Sequence, residues 1–386
     1  MTHTCRKTSG AFFIRNVFLS ALSHVLAPTV LAICGAIYLS GCGGGQHGLG
    51  AGISSGAPVQ PPLPPPSARV AIASAVNPTT NMVYVVESGS PQSTNNGTLF
   101  AVNGASNSIA STLPGLDRPV ALDVDSGTNK IYIANGNANT ISVVSGTSNT
   151  SVATIPVGAS PAAVAVDQAT HAVYVANSKD GTVSVINGTT NTVTATIPVG
   201  VSGLDLIAVD PVLNQIYLAS NQGYSEGIAI IDGKSGHLGT TLYLKNTPQA
   251  LVVDPASHTL YAESNETTVT QVTSSTQIDV IDEVTGAYTS TILVPGFVNS
   301  PGFALDSPRS LLYAGNNTSR AIDVINRQRV NTSVPYSPAG SSVNSISVNA
   351  ATNTVYAVNS TQSGSSVNVQ VINGATNTTV STLKLQ

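Results

Sequence analysis

The pentapeptide "GYSEG", Gly223 to Gly227, fits G-x-S-x-G, the pattern that carries the nucleophile of many hydrolases. That chemistry needs a strand-to-helix turn and a histidine beside the serine. Here the match falls between two strand-like segments with no histidine expected on that side, so Ser225 is not expected to attack anything. His171 and His258 each stand three residues before a recurring tyrosine, in a slot that holds Asn81, Asn129, Asn214 and Asn353 in other copies. Asparagine and histidine both tolerate positive φ, which predicts a left-handed turn residue. His237 follows Gly236 in another turn, and His47 lies in a glycine-rich stretch. Scattered acids remain: Glu87, Glu226, Glu263 and Glu266, with Tyr224 beside Glu226. Such oxygens could bind a ligand or a hard cation, but no tight Asp-x-Asp spacing supports a cation. Solvated loop charge is the blander reading. No catalytic residue, metal site or cofactor is assigned.

The elements that would position these residues are repeats. Aligning on tyrosine gives seven copies: Tyr84, Tyr132, Tyr174, Tyr217, Tyr261, Tyr313 and Tyr356. Seven residues before each stands Asn77, Asp125, Asp167, Asp210, Asp254, Asp306 or Asn349. A carboxylate ring is one reading of that column. Recurrence in every copy fits capping of a hairpin turn better, since an active site usually breaks symmetry. A second marker follows each tyrosine: Asn103, Ser145, Asn187, Asp232, Asp282, Asn326 and Asn373.

Each copy parses into four strands, which we call a to d. In the third copy they are "AAVAV", "AVYVA", "TVSVI" and "TVTATIPV". Charged residues make up only 8% of the chain, too few for exposed helices, while Gly, Pro, Thr and Asn suit strands joined by turns. Four-strand repeats of this length cannot bury their faces alone and predict an all-β, seven-bladed β-propeller with four antiparallel strands per blade. "IYIAN" and "VYVAN", followed by "TVSVIN" and "ATIPVG", resemble the YVTN-repeat (YncE-like) propellers, relatives of the lactonase-type seven-bladed propellers. The resemblance covers residues 70–386 and is weakest in copies one, five and six. It implies a fold more than a function. The chain opens on an innermost strand and ends on an outermost one, so each blade is expected to be one contiguous repeat.

Spacing points to a face. Tyrosine to second marker is 19, 13, 13, 15, 21, 13 and 17 residues in copy order, whereas the other intervals hardly vary. Length therefore changes only between strands b and c, most in blades five, one and seven. Insertions on one face of a repeat protein often mark a binding face, although tolerant loops also drift. Trimming Glu263 to Gln277 is expected to leave every core strand untouched.

The N-terminus adds a location. Arg6, Lys7 and Arg15 precede an apolar run from Val17 to Leu39, as in an export signal. "LSGC" closes it at Cys42 and resembles the lipobox of bacterial lipoproteins, which implies lipidation of Cys42 and anchoring in a bacterial cell envelope. An uncleaved membrane anchor is the alternative. Residues 42–68 read as a tether, flexible where Gly/Ser-rich and stiff at "PPLPPP", and 69–386 as the propeller. The three cysteines, at 5, 34 and 42, leave the repeats without a disulfide. Residues 42–386 hold all 18 acids and 11 of the 14 bases, a net charge of about −7 that argues against nucleic acid. The expectation is a non-enzymatic scaffold, anchored to the membrane through Cys42, that binds an envelope protein or glycan through its b–c loop face. A lactonase-like enzyme and a structural adhesion module are the rivals. Ionisable side chains gathered at the channel mouth would favour the enzyme; a channel lined by Ser, Thr and Asn would favour binding.

Overall fold

The computed structural model describes residues 70–89, 97–221, 227–266, 275–296, 298–361 and 366–385. Cys42 and the residues read as an export signal and a tether lie outside them, as do Tyr224 and Glu226. Within them the chain forms seven four-stranded antiparallel sheets, each made by consecutive strands. The blades span 70–116, 119–156, 161–198, 206–243, 248–295, 298–335 and 341–384. In blade three the strands are Pro161–Val166, Ala172–Asn177, Thr182–Asn187 and Thr192–Pro198, within a residue or so of the sequence reading.

The strands differ in burial in the way their residues dictate. Strand b of blade three is buried from Val173 to Asn177, whereas strand d shows its threonines to solvent. Innermost strands of successive blades neighbour one another around the ring, and strand a of blade one meets strand a of blade seven. The ring closes there without an exchanged strand. The Ser74 N–H donates to Ser345 Oγ (3.0 Å), and Asn349 Nδ2 donates to Asn81 Oδ1 (2.7 Å).

The recurring tyrosine fills the seam. Tyr174 is 3% exposed and packs with Val183 and Ile197 of its own blade and with Leu204, Ile216, Leu218 and Ile231 of the next. Tyr84, Tyr132, Tyr261 and Tyr356 do the same at their own seams. Each blade thus buries its apolar face on its neighbour, the driving force that a lone four-stranded sheet lacks.

Candidate functional site

The a–b and c–d turns share one face of the ring, and both rest on side-chain caps. Asp125 Oδ1 accepts from the N–H groups of Gly127 (3.0 Å) and Thr128 (3.1 Å), and Asp167, Asp210, Asn77 and Asn349 cap their turns likewise. Blade six departs from this column. Pro308 helps form a 3₁₀ turn over Ser307–Arg309, Asp306 makes no side-chain cap, and Arg309 pairs with its carboxylate at 2.9 Å. Asn81, Asn129, His171, Asn214, His258 and Asn353 all have φ between 49° and 59°, the left-handed conformation expected of that slot.

These residues also reach across the seams, a role that sequence reasoning missed. Asn77 Nδ2 donates to Asn129 Oδ1 (2.8 Å), and His171 Nδ1 lies 3.0 Å from Asp125 Oδ2. At the seam of blades four and five the same pair is looser, with His258 Nδ1 3.6 Å from Asp210 Oδ2.

The residue after the second marker explains why. It is glycine in five blades: Gly104, Gly146, Gly188, Gly233 and Gly374. A Cβ at Gly188 would lie 2.9 Å from the Tyr132 hydroxyl, and one at Gly146 would lie 2.8 Å from that of Tyr84. This slot therefore faces the tyrosine and the capping acid of the preceding blade. Blade six places Arg327 here, and its guanidinium reaches Asp254 at 3.4 Å. Blade five places Glu283 here, opposite Asp210, a second carboxylate. One ligand atom from each of Asp210, His258 and Glu283 lies within 4.8 Å of the other two. Asp210 is fully buried and Glu283 is 5% exposed. Asp210 Oδ2, His258 Nδ1 and both Glu283 oxygens make no close hydrogen bond, although Glu283 approaches both Asp210 and the Tyr217 hydroxyl. Burial, then the nearby Asp210, holds the Glu283 carboxyl well above the usual carboxylate range.

On the opposite face the structure corrects the reading of the acids. Glu87 and Glu263 are not solvated loop charges. Both lie in strand b, 3% and 0% exposed. The blade-five insertion lengthens the b–c ribbon, pairing Glu263 with Ile278, Ser264 with Gln277 and Glu266 with Ser275. Trimming 263–277 would thus cut core strand, and only 267–274 lies between the described strands. Glu263 stands two residues after its tyrosine, where other copies have Val86, Ala134, Ala176, Ala219, Gly315 and Val358. Neither of its oxygens has a hydrogen-bond partner, and burial pushes its carboxyl up to about 8.

Strand a supplies the channel wall. A cavity of about 260 Å³ is lined by residues including Ile72, Val120, Ala162, Leu206, Leu251 and Phe303, with Asp205 as the carboxylate among its described lining residues. Asp205 Oδ1 accepts from the Asn221 N–H (2.8 Å). Among its described lining residues, this cavity is neither the ionisable cluster nor the Ser/Thr/Asn lining expected for an enzyme or a binding channel. Deeper along strand a, Asp123 replaces the alanine of four other copies. Its Oδ2 accepts from the Val166 N–H of blade three (2.8 Å), and burial pushes it up to about 6.

A larger groove, about 710 Å³, lies on the outer side of blades four and five. Tyr243, Tyr288 and Leu293 line it, 77%, 47% and 59% exposed, together with Lys245, Gln277, Asp279 and Thr291. The Tyr288 hydroxyl donates to the Tyr243 carbonyl (2.6 Å), and Thr291 Oγ1 donates to Asp279 Oδ1 (2.9 Å). These bonds fix both walls. Sequence reasoning missed this site, because its tyrosines come from strands d of two different blades.

No family model and no curated protein matches this chain. Among solved structures it is similar to a chain of Kuenenia stuttgartiensis hydrazine synthase, with a TM-score of 0.64 and 17% identity over 83% of this chain and 99% of that one. The likeness is one of fold.

Proposed function

We propose that this protein is a YVTN-repeat propeller, lipid-anchored at Cys42 in the bacterial envelope, that binds a saccharide on the outer edge of blades four and five. The groove carries this reading. An exposed tyrosine face beside lysine, carboxylate, amide and hydroxyl groups offers stacking for the C–H face of a sugar and hydrogen bonds for its hydroxyls. Gln277, which lines the groove, belongs to the lengthened blade-five ribbon, so the insertion that pointed to a binding face also builds this wall. Support for the family is the motif set together with a buried asparagine three residues after the tyrosine. Asn177 Nδ2 donates to Thr182 Oγ1 (3.1 Å) and Ser184 Oγ (2.9 Å), tying strand b to strand c, and Asn135 does the same in blade two.

The first test is retention of the purified protein on immobilised peptidoglycan and on neutral glucans. Binding to at least one of them that is lost in Tyr243→Ala supports the reading. Retention unchanged by Tyr243→Ala, or no retention on any, refutes it.

A further inference from the structure

We propose that Asp210, His258 and Glu283 form a site for a divalent transition-metal cation of the zinc class, clamping blade four to blade five. The starting point is a contrast between successive seams. In blade six the slot after the second marker holds Arg327, which sets a positive charge 3.4 Å from the capping carboxylate Asp254. In blade five that slot holds Glu283, which brings a second negative group to the capping carboxylate Asp210. Two carboxylates buried side by side call for a positive partner. The described side chains supply none but a histidine, and that histidine presents an unpartnered nitrogen to them.

The geometry suits a small ion. Two ligands each about 2.0–2.1 Å from one metal at a tetrahedral angle lie about 3.4 Å apart. The His258 Nδ1 to Asp210 Oδ2 distance is 3.6 Å, half an ångström or more longer than the contacts His171 makes with Asp125. An imidazole nitrogen and only three protein donors disfavour calcium and magnesium, which take six or more ligands, mostly oxygen. The His258 side chain is 38% exposed, which gives the ion a path from solvent and leaves room for water as a fourth ligand.

The ligands are also oriented. Asp210 Oδ1 is held by the N–H groups of Val212 (2.6 Å) and Leu213 (3.1 Å), so Oδ2 is the oxygen left for the ion. The Glu283 N–H donates to the His258 carbonyl (3.0 Å), fixing two ligands to each other. Such outer contacts are what hold metal ligands in place.

The test uses untagged, full-length protein stripped of metal with a chelator. Zinc is added alone, with calcium and magnesium as separate arms. Equilibrium dialysis with elemental analysis counts bound metal, and thermal unfolding is followed in parallel. The variants are Glu283→Gly and His258→Asn, which install residues that other copies carry at the same positions and so should fold. The expected result is one more zinc per chain in the wild type than in either variant. Unfolding of the wild type alone should shift upward with zinc, and zinc affinity should fall at least about tenfold in each variant. Equal zinc in wild type and variants overturns the proposal, as does a wild-type shift with calcium or magnesium but not with zinc. A wild type indifferent to all three metals, with Glu283→Gly more stable throughout, also overturns it.

Discussion

His171 Nδ1 lies 3.0 Å from Asp125 Oδ2, so the residue that bends one blade's turn also holds the carboxylate that caps the turn before it. Asp125 therefore serves two backbone N–H groups, the Thr128 hydroxyl (2.7 Å) and a neighbouring blade at once. Asp125→Ala leaves these donors without an acceptor and should cost about 2–4 kcal/mol in urea unfolding. Asp125→Asn, the residue of blades one and seven, keeps an acceptor oxygen and should cost less than about 1.5 kcal/mol. Equal, near-zero losses in both variants would show that the clasp contributes nothing.

Tyr174 packs its ring between two blades, and truncation would leave a cavity bounded by both. Tyr174→Ala should cost about 3–5 kcal/mol. A loss under about 1 kcal/mol would mean that the recurring tyrosine has a cause other than seam packing.

Glu263 predicts a pH dependence. Its carboxyl titrates near the ordinary 4.5 in the unfolded chain and about 8 in the folded one. Between these values the folded chain keeps a proton that the unfolded chain has released, so stability falls as pH rises and levels off above about 8. Glu263→Gln removes this proton, and its midpoint–pH curve should be flatter than the wild type's from pH 5 to 8. Over that range the two stability curves should diverge by a few kcal/mol at most, on the order of 3. Parallel curves would place Glu263 in contact with water. Asp123 and Glu283 titrate in both proteins and cancel in the comparison.

If Cys42 carries lipid, Cys42→Ala should leave the membrane fraction or accumulate as unprocessed precursor. A Cys42→Ala protein that is fully processed and still membrane-bound contradicts the lipidated anchor.

The fold was legible because its causes are local and repeated. Tyr174 and Asp167 recur at a fixed offset and a marker like Asn187 recurs in every copy, and each makes the contact that its chemistry demands: seam packing, an a–b turn cap and a c–d turn cap. The sites were less legible because they depend on what lies across a seam. Glu283 stands in the glycine column of an alignment of the copies, so the anomaly was there to see. Its meaning required knowing that this column faces the preceding blade's capping acid. Glu263 reads as loop charge from the sequence because a longer b–c interval suggests loose loop, whereas its first residues extend the ladder. Tyr243 and Tyr288 are 45 residues apart and stand at opposite ends of their strands d, so no column of the repeat pairs them.

The groove reading meets its most direct test in calorimetric titration of the retained polysaccharide into wild type, Tyr243→Ala and Val380→Ala. Val380 is 59% exposed in strand d of blade seven, far from the groove in sequence, and serves as the control. The wild type and Val380→Ala should bind alike, whereas Tyr243→Ala should bind at least about tenfold more weakly, the loss of about 1.4 kcal/mol expected when one stacked ring is removed. Equal affinity in all three proteins would contradict a binding site on the edge of blades four and five.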